Sequence, residues 1–345
     1  MLAITLHDLR FRSRQFLIAV VGAGLVFSMA LLLTGLANSF RAEVRRTVEA
    51  VGAEAWVVSN GSSGPFTAFG ALPAATADAL GGDPLVIVPE TTTIDGEVHS
   101  MRMFGHRVGG LGSPTQIADG RAVAGDGEVV ADRRLGLDVG DELVLVGTPL
   151  QVVGLVEGHT LLGGIPNVYA TVADAQRIAF QGQPLVTTVV LRQAPTTAPD
   201  GLTVLTSEQV RADTVHAMKD AVASIDNSRS LMWIVAAVIV AALMYVSSLE
   251  RQRDFAVLKS LGSSSWLLFV GVAIQSIVVT MLAAVFALGA SRLMKPMFAL
   301  PTSVPASAYF VLPVIAVVVG LLSSLVALRR AVSVDPASAF AGAMM

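Results

Sequence analysis

Phe16-Leu17-Ile18-Ala19-Val20-Val21-Gly22-Ala23-Gly24-Leu25-Val26-Phe27-Ser28-Met29-Ala30-Leu31-Leu32-Leu33-Thr34-Gly35-Leu36 is an unbroken run without a charged side chain. At about 1.5 Å per helical residue it crosses the roughly 30 Å of a bilayer's hydrocarbon core, so it reads as a first transmembrane helix, TM1, over 16–36. It is longer than the roughly 7–15 residues of a secretory leader's apolar region, which argues against cleavage after the small residues Ala37-Asn38-Ser39. Three more such runs occur, at 231–249 (TM2), 265–289 (TM3) and 309–328 (TM4). The spans are grouped one plus three, and 37–230 between the first and second is long enough for a folded extramembrane domain.

Composition agrees with this reading. Apolar residues make up 53% of the chain and charged residues 14%, and the mean hydropathy is +0.68. These values lie outside the range of ordinary soluble domains. The net charge of −3 gives no electrostatic footprint for nucleic acid. Cysteine is absent, so the extramembrane domain has no disulfides and no thiolate-ligated metal.

Four spans put both termini on one side. Arg10, Arg12, Arg14, Arg251, Arg253, Lys259, Arg329 and Arg330 lie on that side, against Arg292 and Lys295 in the opposite short loop at 290–308. The positive-inside rule makes the richer side cytoplasmic and the domain extracytoplasmic. Residues 1–15 interleave Leu2, Ile4, Leu6, Leu9 and Phe11 with His7, Asp8 and three arginines. They fit an interfacial amphipathic helix, the alternative being a disordered basic start.

Beyond TM1, Val44, Val48 and Val51 recur at helical spacing among Arg41, Glu43, Arg45, Arg46 and Glu49, so the helix is expected to continue as a stalk. Strands are expected at 55–58, 85–88, 97–104, 128–130, 143–146, 151–156 and 186–191, each bounded by Gly or Pro clusters. Helices are expected at 172–180 and 208–225. The fold class is therefore membrane α-helical, with four transmembrane helices plus an α+β extracytoplasmic domain between the first and second spans. Asn60-Gly61-Ser62-Ser63-Gly64-Pro65, followed by Phe66 and Phe69, reads as a flexible polar loop, functional or merely connecting.

Between TM2 and TM3, at 250–264, stands the densest charged segment next to the membrane: Glu250-Arg251-Gln252-Arg253-Asp254-Phe255-Ala256-Val257-Leu258-Lys259-Ser260-Leu261-Gly262. It reads as a short helix with Phe255, Leu258 and Leu261 on one face, charges on the other and Gly262 at its end. Taken alone, the segment is either a solvated connector or a grip for an external motor.

Its pattern resembles the coupling-helix signature of the MacB/FtsX-like permeases of ABC transporters. The tail at 329–345, with Arg330, Val334, Asp335, Pro336, Ala337 and Phe340, is similar to that family's ending, and Gly140-Asp141-x-Leu143 through Val156-Glu157 to its paired strands. The resemblance implies a homodimer driven by two copies of a separate cytoplasmic ATPase, with ATP and magnesium on that partner. The coupling residues it implies are Glu250, Arg251, Arg253, Asp254, Phe255, Leu258, Lys259, Leu261 and Gly262. This division of labour fits the chain itself. A phosphate-binding P-loop needs Gly before its Lys, and the three lysines, Lys219, Lys259 and Lys295, follow Met218, Leu258 and Met294.

Leu33 to Phe40, Trp56-Val57-Val58 and Gly64-Pro65-Phe66 resemble the compact exporters of that family, the HrtB-like haem-efflux and DevC-like groups. What is moved is then a hydrophobic or amphiphilic compound, haem being the specific candidate; the competing class is mechanotransmission or lipid and lipoprotein extraction. All five histidines fall outside the spans, which leaves thioether and phenolate as axial ligands for haem iron there. Met29 is the candidate iron ligand, with Tyr245 or Met244 as a second candidate, against the plainer readings of gap-filler and interfacial aromatic. Glu43 and Glu49 are candidates to meet a substrate emerging between stalks. Gly24 and Ser28 form a small-xxx-small pair expected to serve dimer packing.

Overall fold

The computed structural model describes residues 13–332 apart from 196, 198, 261, 263 and 298–301, with the backbone alone at 13, 252–254, 258, 297 and 326–332. The interfacial helix expected before Ser13 and the tail beyond Val332 lie outside the described residues. Along the chain run α1 (Ser13–Val51), β1 (Ala55–Ser59), β2 (Leu72–Pro73), α2 (Ala75–Leu80), β3 (Asp83–Ile94) and β4 (Glu97–His106). There follow β5 (Asp119–Gly120), β6 (Glu128–Asp132), β7 (Glu142–Leu145), β8 (Thr148–Val156), β9 (Thr160–Leu161) and β10 (Ile165–Thr171). Next come α3 (Val172–Phe180), β11 (Leu185–Val186), β12 (Thr188–Leu191), β13 (Leu202–Thr206) and α4 (Ser207–Ala217). The last elements are α5 (Lys219–Glu250), α6 (Gln252–Ser260), α7 (Ser265–Met294) and α8 (Ala306–Val332).

Two compact units result, one of Met1–Ser39 with Val222–Met345 and one of Phe40–Ala221. Both chain crossings, at 39–40 and 221–222, fall within helices.

In the first unit α1, α5, α7 and α8 are long and apolar enough to cross a membrane. Only a helix satisfies its own backbone groups where no water is present. Small residues let the helices approach. A Cβ on Gly24 would lie 2.6 Å from the Phe286 ring and 3.0 Å from the Ala283 carbonyl, and the Ser28 hydroxyl lies 2.7 Å from the Gly24 carbonyl and 3.3 Å from that of Ala287. Gly24 and Ser28 thus pack α1 against α7 of the same chain, which corrects the expectation that they face a second copy. Ser323 Oγ donates to the Ala237 carbonyl at 3.1 Å and joins α8 to α5. Farther along α1, Asn38 Nδ2 donates to the Ser303 carbonyl at 2.9 Å, and Ser303 N–H donates to Ser39 Oγ at 2.7 Å.

The second unit is built on a sheet of eleven strands in the order β13-β1-β12-β3-β4-β10-β6-β8-β5, with β7 on β8 and β9 on β10. Alternation sorts its side chains. Val57, Val86, Val88, Met103, Ala131 and Val168 enter one buried cluster, while Trp56, Leu85, Ile87, Phe104, Val130 and Tyr169 enter another. Successive strand residues point to opposite faces, so both faces of this sheet are buried. Helices α2 and α3 cover the first face through Ala77, Ala175 and Ile178. The second is covered by Val44, Val48 and Val51 of α1 and Val210 of α4. The result is helix, sheet, helix.

Local chemistry sets the turns. Asp95 and Gly96, both at positive φ, close the β3–β4 hairpin as a two-residue turn matched to strand twist. Strand β10 lies parallel to β4 and antiparallel to β6. No strand is expected there from sequence, because Pro166 and Asn167 break the usual signal. The loop after Asn60 is pinned: Phe66 is buried against Trp56 and Phe104, and Arg102 donates to its carbonyl at 2.9 Å.

The α1 segment from Phe40 is held by one carboxylate. Glu43 is 5% exposed, and it accepts from Gly163 N–H at 2.9 Å, Gly164 N–H at 3.0 Å and the Thr160 hydroxyl. Leu162, Gly163 and Gly164 all have positive φ, which turns consecutive N–H groups towards the anion as a backbone nest. Thr47 Oγ1 donates to the Thr160 carbonyl at 3.1 Å, one helical turn along.

Two outcomes are expected from unfolding the detergent-solubilised chain. Glu43→Ala removes a charged acceptor from buried donors and costs about 3 kcal/mol, with Glu43→Gln losing less; an unchanged midpoint for the alanine variant rules out the nest as an anchor. A Cβ on Gly105 would lie 2.2 Å from the Ala175 Cβ, so Gly105→Val costs roughly 1–3 kcal/mol by overpacking α3 on β4.

Candidate functional site

The segment between α5 and α7 is shaped by its ends. Glu250 closes α5, and its Oε1 accepts from Gln15 Nε2 of α1 at 3.1 Å. Gly262, at φ +90°, bonds through its N–H to the Lys259 carbonyl at 3.0 Å, a left-handed position that favours glycine. Ser264 then caps α7 by accepting from Leu267 N–H at 3.3 Å.

Between these limits α6 turns Phe255 and Ala256, 3% and 2% exposed, into the bundle. Phe255 shares a buried cluster with Phe16 of α1 and Leu268 of α7. The Arg251 guanidinium carbon lies 5.3 Å from the Phe255 ring centroid, a cation–π contact that orients the ring from the charged side. Val257 is half exposed. The buried face therefore centres on Phe255 and Ala256. The side chains of Arg253, Asp254 and Leu258, and Leu261 altogether, lie outside the described residues. A displacement applied to α6 meets packed side chains of two spans, and close-packed interiors transmit strain.

The substrate candidates fall in both units. Met29 is half-buried on α1 and Tyr245 is 37% exposed near the α6 end of α5. Glu43 is engaged by its own loop. Glu49 is exposed and lines a cleft of about 440 Å³ in the second unit, with Arg46, Gln116, Glu157, His159 and Tyr169.

In this cleft His159 Nδ1 lies 2.8 Å from the Tyr169 hydroxyl. Burial lowers the His159 pKa; Asp132 opposes this and Arg46 adds to it, so the ring is neutral at physiological pH. Burial also pushes the Tyr169 phenol up. Asp132 accepts the backbone N–H of His159 at 2.7 Å, so it does not orient the ring as a catalytic relay requires. Among the described residues no three His, Asp or Glu side chains are grouped to hold a metal ion. The cleft is suited to polar contacts. Its residues come from distant segments, and of these only Glu49 stands out in the sequence.

The chain is similar in sequence to known proteins. The FtsX-like permease C-terminal model matches residues 230–336, a stretch that contains α6 and the spans beside it. Over 99% of its length the chain is 40% identical to an uncharacterized ABC transporter permease of Mycobacterium tuberculosis, covering 100% of that protein. A second uncharacterized ABC transporter permease of that organism is 37% identical over the same shares. Among solved structures, the extracellular domain of the ABC-type transporter YknZ from Gram-positive bacteria covers 41% of this chain and 78% of its own, at 13% identity and a TM-score of 0.28.

Proposed function

Because the chain belongs to the FtsX-like ABC transporter permeases, we propose that it couples a separate cytoplasmic ATPase to efflux of a hydrophobic or amphiphilic substrate. The observation that carries this reading is α6, a short helix joined at each end to a span and keyed into the bundle by Phe255. Two ATPase copies act on a permease homodimer in the bacterial cytoplasmic membrane, with both termini and α6 on the cytoplasmic side. Closure of the ATPase pair pushes α6, whose charged positions Glu250, Arg251, Arg253, Asp254 and Lys259 form the grip. Phe255 keys it to the bundle, the family resemblance assigns Leu258 and Leu261 to the coupling segment with it, and Gly262 ends it. The push then reaches α1 and α7 through Phe16 and Leu268, a shift of packed helices.

Haem is the specific substrate we assign, in line with the compact exporters the chain resembles. Met29, half-buried on α1, supplies a thioether to the iron, and Tyr245 and Glu49 contact the substrate elsewhere on its route. Glu43 serves the passage by holding the α1 segment to its loop.

In the reconstituted complex, Arg251→Glu with Asp254→Arg is expected to lower ATPase activity about tenfold, the cost of roughly one charge-assisted contact, while loss of the Arg251–Phe255 contact costs only about 0.5–1 kcal/mol of stability and leaves the chain folded. Full activity in that variant removes α6 as the grip. Adding haem to the purified permease is expected to shift the Soret band, and Met29→Ala to diminish the shift. No shift removes haem while leaving the permease assignment in place.

A further inference from the structure

A second pocket, of about 270 Å³, lies among α1, α5 and α8 of the membrane unit. Its walls are layered. Each of the three helices contributes a polar residue about one turn nearer the 40–221 end than its apolar contribution: Thr34 beyond Leu31, Arg229 beyond Trp233, Ser307 beyond Val311. Trp233 is braced at 5.4 Å by the ring of Phe27. Such a site takes an amphiphile with its tail among the apolar residues and its head at Arg229. The three helices around it are long and apolar enough to cross a membrane, so an acyl chain seated here continues into the surrounding hydrocarbon. That selects a lipid over a small polar solute.

The charges select the head group. Arg229 is the charged residue lining the pocket, and its guanidinium is paired at 3.0 Å with Asp226. Asp226 sits three residues, about 4.5 Å of helix rise, nearer the 40–221 end. Moving outward from the apolar layer, a bound head meets Arg229 and the hydroxyl-bearing Thr34 and Ser307 of the lining, and a head that extends about one turn beyond the lining reaches the Asp226 carboxylate. A net anion is attracted by Arg229 but repelled by Asp226. A head with phosphate inside and ammonium outside complements both, because a guanidinium keeps free donors after one ion pair and an ammonium donates to a carboxylate. A quaternary choline has no such donor.

We propose that this pocket binds a zwitterionic aminophospholipid, with its phosphate on Arg229 and Ser307, its primary amine on Asp226 and an acyl chain along Leu31, Trp233 and Val311. The site is independent of the transported compound, and holds whether or not haem is moved.

Trp233 reports on it directly. In a Trp266→Phe background the remaining tryptophan, Trp56, is fully buried in the core of the other unit, away from lipid. With the full chain in vesicles, brominated phosphatidylethanolamine is expected to quench Trp233 with about fivefold higher apparent affinity than brominated phosphatidylcholine or phosphatidylglycerol, the effect of roughly one interfacial charge contact. Arg229→Gln abolishes the preference and Arg229→Lys retains part of it. Asp226→Asn reverses it in favour of phosphatidylglycerol, an outcome that misfolding does not produce. Equal quenching by the three lipids, or an unchanged order in Asp226→Asn, overturns the proposal. So does loss of the excess quenching to soluble phosphoethanolamine, which means that the head group alone is bound.

Discussion

A backbone amide in hydrocarbon has no water to bond to, and the first unit of this protein follows from that constraint. It makes every crossing a helix and leaves charge near the span ends. It also places several of the polar residues that remain where a carbonyl can receive them, although Gln275 Nε2 and Ser276 Oγ of α7 are buried without such a partner. Ser28 near Ala287 and Ser323 bonded to Ala237 are of the first kind, polar groups whose hydrogen bonds also join helices. The two features to which a role is proposed occur where the constraint relaxes. Helix α6 is a charged turn between spans, and the Arg229–Asp226 pair stands at the opposite end of α5.

The second unit obeys a different rule. Its strands are apolar on both faces, and a sheet with two apolar faces needs a cover on each. One cover, α2 and α3, is supplied by its own sequence; the other is shared with the helix that arrives from the membrane. Packing by Val44, Val48 and Val51 is non-directional, so directional contacts fix the helix against the sheet. Glu43 and Thr47 supply them, one turn apart, on a loop whose left-handed backbone suits an anion.

Family membership and the placement of α6 converge on one mechanical idea. A motor needs a protruding, charged handle and a stiff linkage. In the proposed function Arg251 and Phe255, four residues apart, supply both, the guanidinium partly exposed and the ring in a buried cluster with Phe16 of α1 and Leu268 of α7. In the cleft around His159, Asp132 accepts the peptide N–H and the ring is left to the Tyr169 hydroxyl.

Much of this was legible from residues alone. Uncharged runs near 20 residues declare helical spans because hydrocarbon thickness sets their length, and valines at helical spacing declared the extension of α1. The charged turn between TM2 and TM3 was legible too, because the cost of desolvating so many ionised side chains keeps such a run out of hydrocarbon. Strand β10 was hidden, because Pro166 and Asn167 carry the local marks of a loop and it becomes a strand only between β4 and β6. Glu43 read as a stalk charge able to meet a substrate, and its burial was hidden, because a carboxylate's burial depends on donors more than a hundred residues away in sequence. Gly24 and Ser28 declared a close helix contact but not its partner. Sequence periodicity determines which residues share a face, whereas only tertiary packing decides what that face meets, because the partner atoms come from segments whose separation along the chain carries no local signal.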